Sequence, residues 1–424
     1  MKLGNLRLAV FESSLRTNFY PLTLTRPAFD LSFGTGTLLS RIEERVSSKA
    51  TDLFVPEHLQ GTAQENHQDA KVNDSVSGKC LIVNSLIADR PEIWHAVEQT
   101  TVENSEILHV DSSGTLVFGI LEETSPKLVQ LTFKRARAKT KRIESEIDDL
   151  ALVRFPWKLV EQNGLAITND FSGRYSERQY AEGQFESRGS KFSVSSMADI
   201  ERYVTMDSRN GPIIIEDGAH VQSFSHLTGP CFIGKGSVVK SAKIREGTTI
   251  AEFCRVSGEI EQSIISNYTN KNHDGFVGHS IVGSWVNLGA LTTTSDLKNT
   301  YGEIKVNVGG KQVNTGHNKV GAFIGDMAKT AIGTMISSGK SVGVSSFAMG
   351  AVTSDIPSFT ISAGVPRSRV VEMYIDSAIE TQRRMMSRRG IKISDAYISL
   401  IKSVFKMTKL DRSSHHVSKG KFIN

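Results

Sequence analysis

The sequence predicts a chain in three parts: an α/β domain, a β-solenoid with a short repeat, and a basic pair of helices. Three observations carry this. Aliphatic residues recur with a six-residue period through the second half. They stand at Ile215, Val221, Leu227 and Ile233, at Ile244, Ile250 and Val256, at Val277, Val282 and Leu288, and again at Ile324, Thr330, Ile336, Val342 and Ala348. Before residue 175, short apolar runs of strand length alternate with helix-length segments. After Pro366 the apolar spacing becomes helical, and basic residues outnumber acidic ones thirteen to five. The expected domains are residues 1–195 with a linker, 196–366, and 367–424.

A period of six is neither the 3.6 of a helix nor the 2 of a simple strand. It suits a short flat strand followed by a corner, with one aliphatic per face directed at the axis. Repeats of this kind stack, each coil covering the next. Gly often follows the aliphatic, as at Val277-Gly278, Val282-Gly283 and Ile324-Gly325, where a tight corner needs a permissive backbone. Residues 292–319 interrupt the pattern, and Gly309-Gly310 between two β-prone runs reads as a hairpin turn. An excursion of that length is expected to wall a site that regular coils cannot build.

In the first domain, Leu6–Phe11, Asp52–Pro56 and Lys79–Asn84 read as strands, and Arg90–Gln99 as a helix. Gly34 and Gly36 precede an expected helix over Leu38–Val46, so their amides are candidates to face a phosphate. Strand–helix alternation argues for α/β. Lys134–Asp149 is a charged run that reads as a solvated helix face or loop. Gly173–Arg188 reads as a linker and Met197–Tyr203 as a short helix, with the solenoid under way by Gly211-Pro212. In the tail, Gly390 is placed to end one helix and Ser394 to cap a second.

Composition bounds the function. The 424 residues are 39% hydrophobic and 22% charged, ordinary values for a soluble protein. There is no apolar run long enough for a transmembrane helix and no signal-peptide pattern at the start, so a cytoplasmic protein is expected. Cys80, Cys231 and Cys254 lack metal-ligand spacing and read as buried thiols. A net charge of +5 fits small phosphorylated substrates and does not point to nucleic acid.

The stretch KNHDGFVGHSIVGSWVNLGA, Lys271 to Ala290, resembles the hexapeptide-repeat acyltransferases, whose fold is a left-handed parallel β-helix. More closely it is similar to the acetyltransferase half of the bifunctional UDP-N-acetylglucosamine pyrophosphorylase and glucosamine-1-phosphate N-acetyltransferase family. The resemblance rests on His273, an aromatic three residues later at Phe276, and the run Val286-Asn287-Leu288-Gly289-Ala290. Phe276 stands where that family carries Tyr. Residues 5–175 resemble a compact, divergent branch of the sugar nucleotidyltransferases, a Rossmann-like fold, through Pro21–Pro27, Asn84–Asp89 and Pro156–Val160 with Asn163. The usual Gly-rich loop directly after the first strand is missing.

The resemblance implies an enzyme that acetylates an amino-sugar 1-phosphate with acetyl-CoA and joins a nucleotidyl group to the product, giving a UDP-N-acetylhexosamine. His273 would be the general base, since an imidazole suits proton removal at neutral pH. Lys271, Asn287, Asn299, Tyr301 and Lys305 would bind the sugar phosphate. Gly333, Gly350 and Arg367 would border coenzyme A. Arg26 and Lys158 would clamp the nucleoside triphosphate, and Asp89 would hold Mg²⁺. The family also implies a homotrimer with shared sites. Two alternatives stay open: an acyltransferase with an inactive first domain, and a non-enzymatic sugar-nucleotide-binding assembly subunit. A trimeric zinc site is a further reading, raised by the six-residue pairs His273/His279 and His220/His226.

Overall fold

The computed structural model describes residue 3 and residues 6–124, 143–147, 149–175, 185–364 and 369–420. The basic half of the charged run, from Lys134 to Arg142, and Arg367 lie outside these residues. The acidic half contributes a strand, Ile143–Ile147, rather than a solvated helix or loop.

The first part is a mixed seven-stranded sheet. Its strands are β1 (Arg7–Phe11), β2 (Asp52–Phe54), β3 (Lys71–Val72), β4 (Val76–Asn84), β5 (Ile107–Asp111), β6 (Leu116–Thr124) and β7 (Ile143–Ile147), in spatial order β3-β2-β1-β4-β6-β5-β7. Strands β1, β2, β3 and β4 run parallel, and β6 runs antiparallel to both neighbours. Helices α1 (Leu38–Val46), α2 (Gln60–Asn66), α3 (Pro91–Glu103) and α4 (Pro156–Arg174) accompany it. Central positions such as Leu8, Val10, Leu81 and Val83 are fully buried, as expected where a sheet is covered on both faces. Thr37 and Ser40 cap α1 reciprocally, which fixes the helix start directly after Gly36.

The second part is a three-faced parallel β-helix of the left-handed hexapeptide type. One face stacks eight strands from Phe192–Val194 to Ser341–Val342, each paired with the strand one coil away, as in Ile213↔Cys231 and Cys231↔Thr248. The periodic aliphatics Ile215, Val221, Leu227, Ile233, Ile250 and Val256 are all buried along the axis. The first coil already opens at Glu186–Arg188, before residue 196 and before Gly211. Met197–Tyr203 is a corner plus a two-residue strand, not a helix: Asp199 and Ile200 pair with the next coil at His220 and Val221.

Several corners are aromatic rather than glycine. Phe253, Tyr268 and Trp285 hold positive φ angles of 56°, 62° and 59°. A left-handed conformation costs a side-chain-bearing residue about 1–2 kcal/mol. Stacking offsets part of that: Phe253 and Tyr268 lie 5.1 Å apart, and Tyr268 and Trp285 4.3 Å apart with rings 2° from parallel.

The excursion contains the predicted hairpin, Lys305–Val308 against Lys311–Asn314, with Gly309 and Gly310 both at positive φ as the turn requires. The tail forms α5 (Ile375–Ser387), α6 (Asp395–Met407) and α7 (Lys409–Ser414). Ser394 caps α6, its hydroxyl accepting from the Tyr397 amide at 3.1 Å.

The parts share cores. One apolar cluster joins Leu8, Val10 and Leu53 of the sheet to Phe359 of the β-helix and to Ile379, Leu400 and Val404 of the tail. A second joins Leu22, Trp157 and Leu159 to Ile264, Phe323, Ile304 and Val306. Asp326 bolts this seam together. It accepts from Arg26 at 2.6 Å, from the Thr25 hydroxyl at 2.7 Å and from the Ser284 amide at 2.8 Å.

Candidate functional site

Asn287 occupies an outward-facing rung of the β-helix. On that face Arg255, Asn270, Asn287 and Lys329 pair in order, one per coil. Two residues before the first three stand Phe253, Tyr268 and Trp285, so each coil offers an aromatic corner and then a polar rung. Helix α5 and the two residues after it cover the face. Gln382 donates to the Ser345 hydroxyl at 2.6 Å, and Arg389 to the Asn270 side-chain oxygen at 3.1 Å. Between helix and coils lies a cavity of about 670 Å³. His273 is exposed at its rim, and Asn272, Asn287, Gly289 and Ala290 line it beside Arg255, Arg384, Arg388 and Arg389.

Below His273 the same corner continues down the helix. The Leu291 amide donates to Asp274, the Gly333 amide to Ala290 and the Met335 amide to Gly350. Gly333 sits at φ +70° with open space where a Cβ would project. Gly333 and Gly350 therefore lie along one edge beneath His273.

Lys271 is buried beneath this site, its ammonium donating to the Ser257 and His273 carbonyls at 2.9 and 3.0 Å. Burial pulls its pKa down to about 8 against an upward push from Asp274. It braces the His273 backbone and does not present a charge to the cavity. Lys329 is likewise lowered to about 8 by burial.

Asn299, Tyr301 and Lys305 do not line the cavity. The excursion folds back instead of walling the site, because Ile304, Val306 and Val320 are drawn into the apolar seam with Trp157 and Phe323. Tyr301 is left 73% exposed.

His279 faces a different, smaller cavity of about 220 Å³, lined also by Trp157, Glu161 and His317. Its Nδ1 lies 2.7 Å from Asp296. His220 pairs with Glu201 at 2.8 Å, several coils earlier. Among the described residues no three His, Cys, Asp or Glu gather as a metal site, and His273 and His279 line different cavities, which does not fit the zinc reading. The three cysteines are free and buried, and burial pushes all three thiols up, away from nucleophilic use.

The first domain has its own cleft, about 480 Å³, beside the segment that follows β4. This is the carboxyl end of the parallel strands, the usual ligand edge of an α/β sheet. Lys158, Asp89, Arg90, Phe33 and Phe155 line it, so Lys158 and Asp89 are brought together. Arg26 is elsewhere, committed to Asp326. The Asp89 carboxylate is occupied by Arg41 at 3.0 Å, Arg45 at 2.7 Å and the Trp94 indole at 3.1 Å. Two guanidiniums already neutralise it, so Asp89 does not fit a Mg²⁺ ligand. The Gly34–Gly36 loop does not present free amides either. Gly34 donates to Asn163 at 2.8 Å and Thr35 to Asp170 at 2.9 Å, which dock the loop on α4.

Residues 8–179 match the sugar nucleotidyl transferase family. This segment holds the sheet, α1 to α4 and the Lys158 cleft. Among curated proteins, 136 residues are 36% identical to a bifunctional sugar-1-phosphate nucleotidylyltransferase/acetyltransferase of Sulfurisphaera tokodaii, covering 31% of this chain and 34% of that protein. A bifunctional protein GlmU of Methanococcus vannielii is 38% identical over 151 residues, 35% of this chain and 36% of the relative. The matches thus span about a third of these relatives' length. A UDP-N-acetylglucosamine acyltransferase structure from Francisella novicida aligns over 55% of this chain and 78% of its own, at 11% identity and a TM-score of 0.30.

The sequence pattern pointed to His273 and Asn287 but missed the other walls. Arg255 and Asn270 were legible as polar residues two places after an aromatic. Arg384, Arg388 and Arg389 carried no such signal, since only tertiary packing brings α5 over that face.

Proposed function

We propose that this protein is a sugar-1-phosphate nucleotidyltransferase and N-acetyltransferase. Acetyl transfer takes place at His273, and nucleotidyl transfer at the cleft beside Lys158. The observation that carries the reading is His273 at the rim of a polar, cationic cavity on a parallel β-helix, in a chain whose first domain matches sugar nucleotidyl transferases.

In this reading the amine of an amino-sugar 1-phosphate approaches His273, whose imidazole takes the proton as the nitrogen attacks the thioester of acetyl-CoA. Asn287 hydrogen-bonds the sugar or acyl oxygens. The edge that carries Gly333 and Gly350 admits the pantetheine chain, since Gly333 leaves open space there. In the first domain, Lys158 and Arg90 supply positive charge to a triphosphate, whose Mg²⁺ enters with the nucleotide. The cytoplasm is the compartment that supplies both acetyl-CoA and nucleoside triphosphates.

The active species is a homotrimer. Leu291, Ile332 and Met335 are 59%, 77% and 59% exposed on the corner beneath His273. A contiguous apolar edge beside a site is what a second copy would cover. Tyr301 and Asn299, turned away from their own cavity, then become available to a neighbour's.

The test is purified protein with glucosamine 1-phosphate, acetyl-CoA, UTP and Mg²⁺, following free thiol and pyrophosphate separately. Release of both supports the reading. Thiol alone favours the acyltransferase with an inactive first domain, and neither product rejects both enzymatic readings.

A further inference from the structure

The cavity over His273 carries more guanidiniums than a single sugar phosphate requires. Arg255, Arg388 and Arg389 line it from opposite sides, the first from the β-helix and the other two from the end of α5. None of the three has a carboxylate partner among the described residues. Arg384 pairs with Glu380 at 3.0 Å, and Arg389 donates only to the neutral Asn270 side chain among the described residues. Burial, with Arg255 and Arg388 nearby, makes the Arg389 guanidinium easier to deprotonate. In addition, the Asn272 side-chain oxygen is buried beside the cavity without a donor. A buried acceptor left open calls for a donor, which a ligand's hydroxyl or base N–H supplies and its phosphate does not.

The second feature is flat. Tyr268 and Trp285 both line the same cavity and are stacked 4.3 Å apart, nearly parallel. Side chains held in a left-handed corner and locked by stacking form a rigid platform. A volume of about 670 Å³ exceeds what a hexosamine phosphate alone occupies. Arginines with a rigid aromatic platform bind phosphates and a planar ring together.

We infer that the Arg255–Arg388–Arg389 clamp and the Tyr268–Trp285 platform form a nucleotide-phosphate site that helix α5 closes over the acyl-transfer centre. The ligand has two adjacent features, an anionic phosphate and a planar base. Two sources share that chemistry: the 3′-phospho-ADP part of coenzyme A and a nucleoside diphosphate carried by the acceptor sugar. The basic tail is thereby part of the binding site of its own chain. This deepens the acetyltransferase reading and rests on it for the naming of those two sources.

The experiment measures binding to the full chain without turnover, by calorimetry at low salt, using adenosine 3′,5′-bisphosphate, uridine diphosphate and inorganic pyrophosphate as probes. The variants are Trp285→Ala, a half-buried position, and Arg255→Gln combined with Arg388→Gln, both of them exposed. Trp285→Ala is expected to weaken at least one nucleotide roughly tenfold or more while pyrophosphate binding stays unchanged. The double arginine variant is expected to weaken the nucleotide and pyrophosphate alike, by roughly tenfold or more. The nucleotide whose affinity falls in both variants identifies the source. Nucleotide affinities unchanged in either variant would place binding elsewhere, for example at the Lys158 cleft, and overturn the inference. Equal melting temperatures for variants and wild type separate lost binding from lost folding. His273→Ala should bind these probes normally, so failure here is distinct from failure of the acetyltransferase reading.

Discussion

Asp326 is a residue whose loss the structure makes costly. Its carboxylate is nearly buried and accepts from Arg26, Thr25 and the Ser284 amide at once. Asp326→Ala leaves the Arg26 guanidinium unpaired in the seam, where its side chain is only 18% exposed. Removing one partner of such a pair costs about 3–5 kcal/mol. The orphaned hydroxyl and amide contribute about 1 kcal/mol each, though water entering the gap recovers part of this. A loss of about 4 kcal/mol is expected. Arg26→Ala should cost slightly less, and the double variant no more than Asp326→Ala alone, because the second deletion removes the uncompensated charge. Urea unfolding followed by tryptophan fluorescence gives the cycle, since Trp157 sits in the same seam. Arg26→Ala should also retain pyrophosphate release per folded molecule. A wild-type urea midpoint for Arg26→Ala, together with lost pyrophosphate release, would refute this reasoning and return the guanidinium to the nucleotide.

Three further outcomes follow. Burial raises the Glu12 carboxyl to about 7, against the opposing Ala28 amide bond. The folded state then holds its proton more tightly than the unfolded state between about 4.5 and 7, so this group's contribution is full below the unfolded value and is lost as pH rises through 7. Glu12→Gln should flatten that decline in a pH series of urea midpoints, by up to about 3 kcal/mol, and an unchanged slope would exclude Glu12 as its source. His279→Ala should cost about 2 kcal/mol of stability through loss of the Asp296 pair, with acetyl transfer per folded molecule kept within about threefold of wild type because His279 faces another cavity; a collapse of transfer would promote the His279–Asp296 pair to the chemistry. Sedimentation should show a trimer at micromolar concentration, and Ile332→Asp combined with Met335→Asp should shift it toward monomer with loss of acetyl transfer. A fully active wild-type monomer would remove the shared-site proposal.

The hexad made the β-helix legible because each aliphatic reports a buried position with a fixed period, from Ile215 to Ala348. The hairpin was legible for the same local reason, since Gly309-Gly310 demands one turn geometry. What the sequence did not disclose was tertiary. Arg26 lies in a run that resembles a substrate-binding segment, yet its partner is Asp326, 300 residues away. Lys271 stands two residues from His273, but it takes the inward rung position in register with Val256, whereas His273 lies beyond the end of that strand. Lys305 was read toward the site, whereas the apolar side chains around it pull its hairpin to the seam. The arginines of α5 were visible only as charge, because nothing in a helix's own sequence says which face of another domain it will cover. Asp89 was a reasonable metal candidate by position, and only the convergence of Arg41 and Arg45 removes it.

The central claim is that His273 removes the proton from the attacking amine. The direct measurement is the rate of free-thiol release from acetyl-CoA with glucosamine 1-phosphate, for wild type and His273→Ala across pH. The account predicts a fall of about 10²–10⁴ in rate with acetyl-CoA affinity nearly unchanged. A His273→Ala protein that transfers acetyl groups at close to the wild-type rate would contradict it.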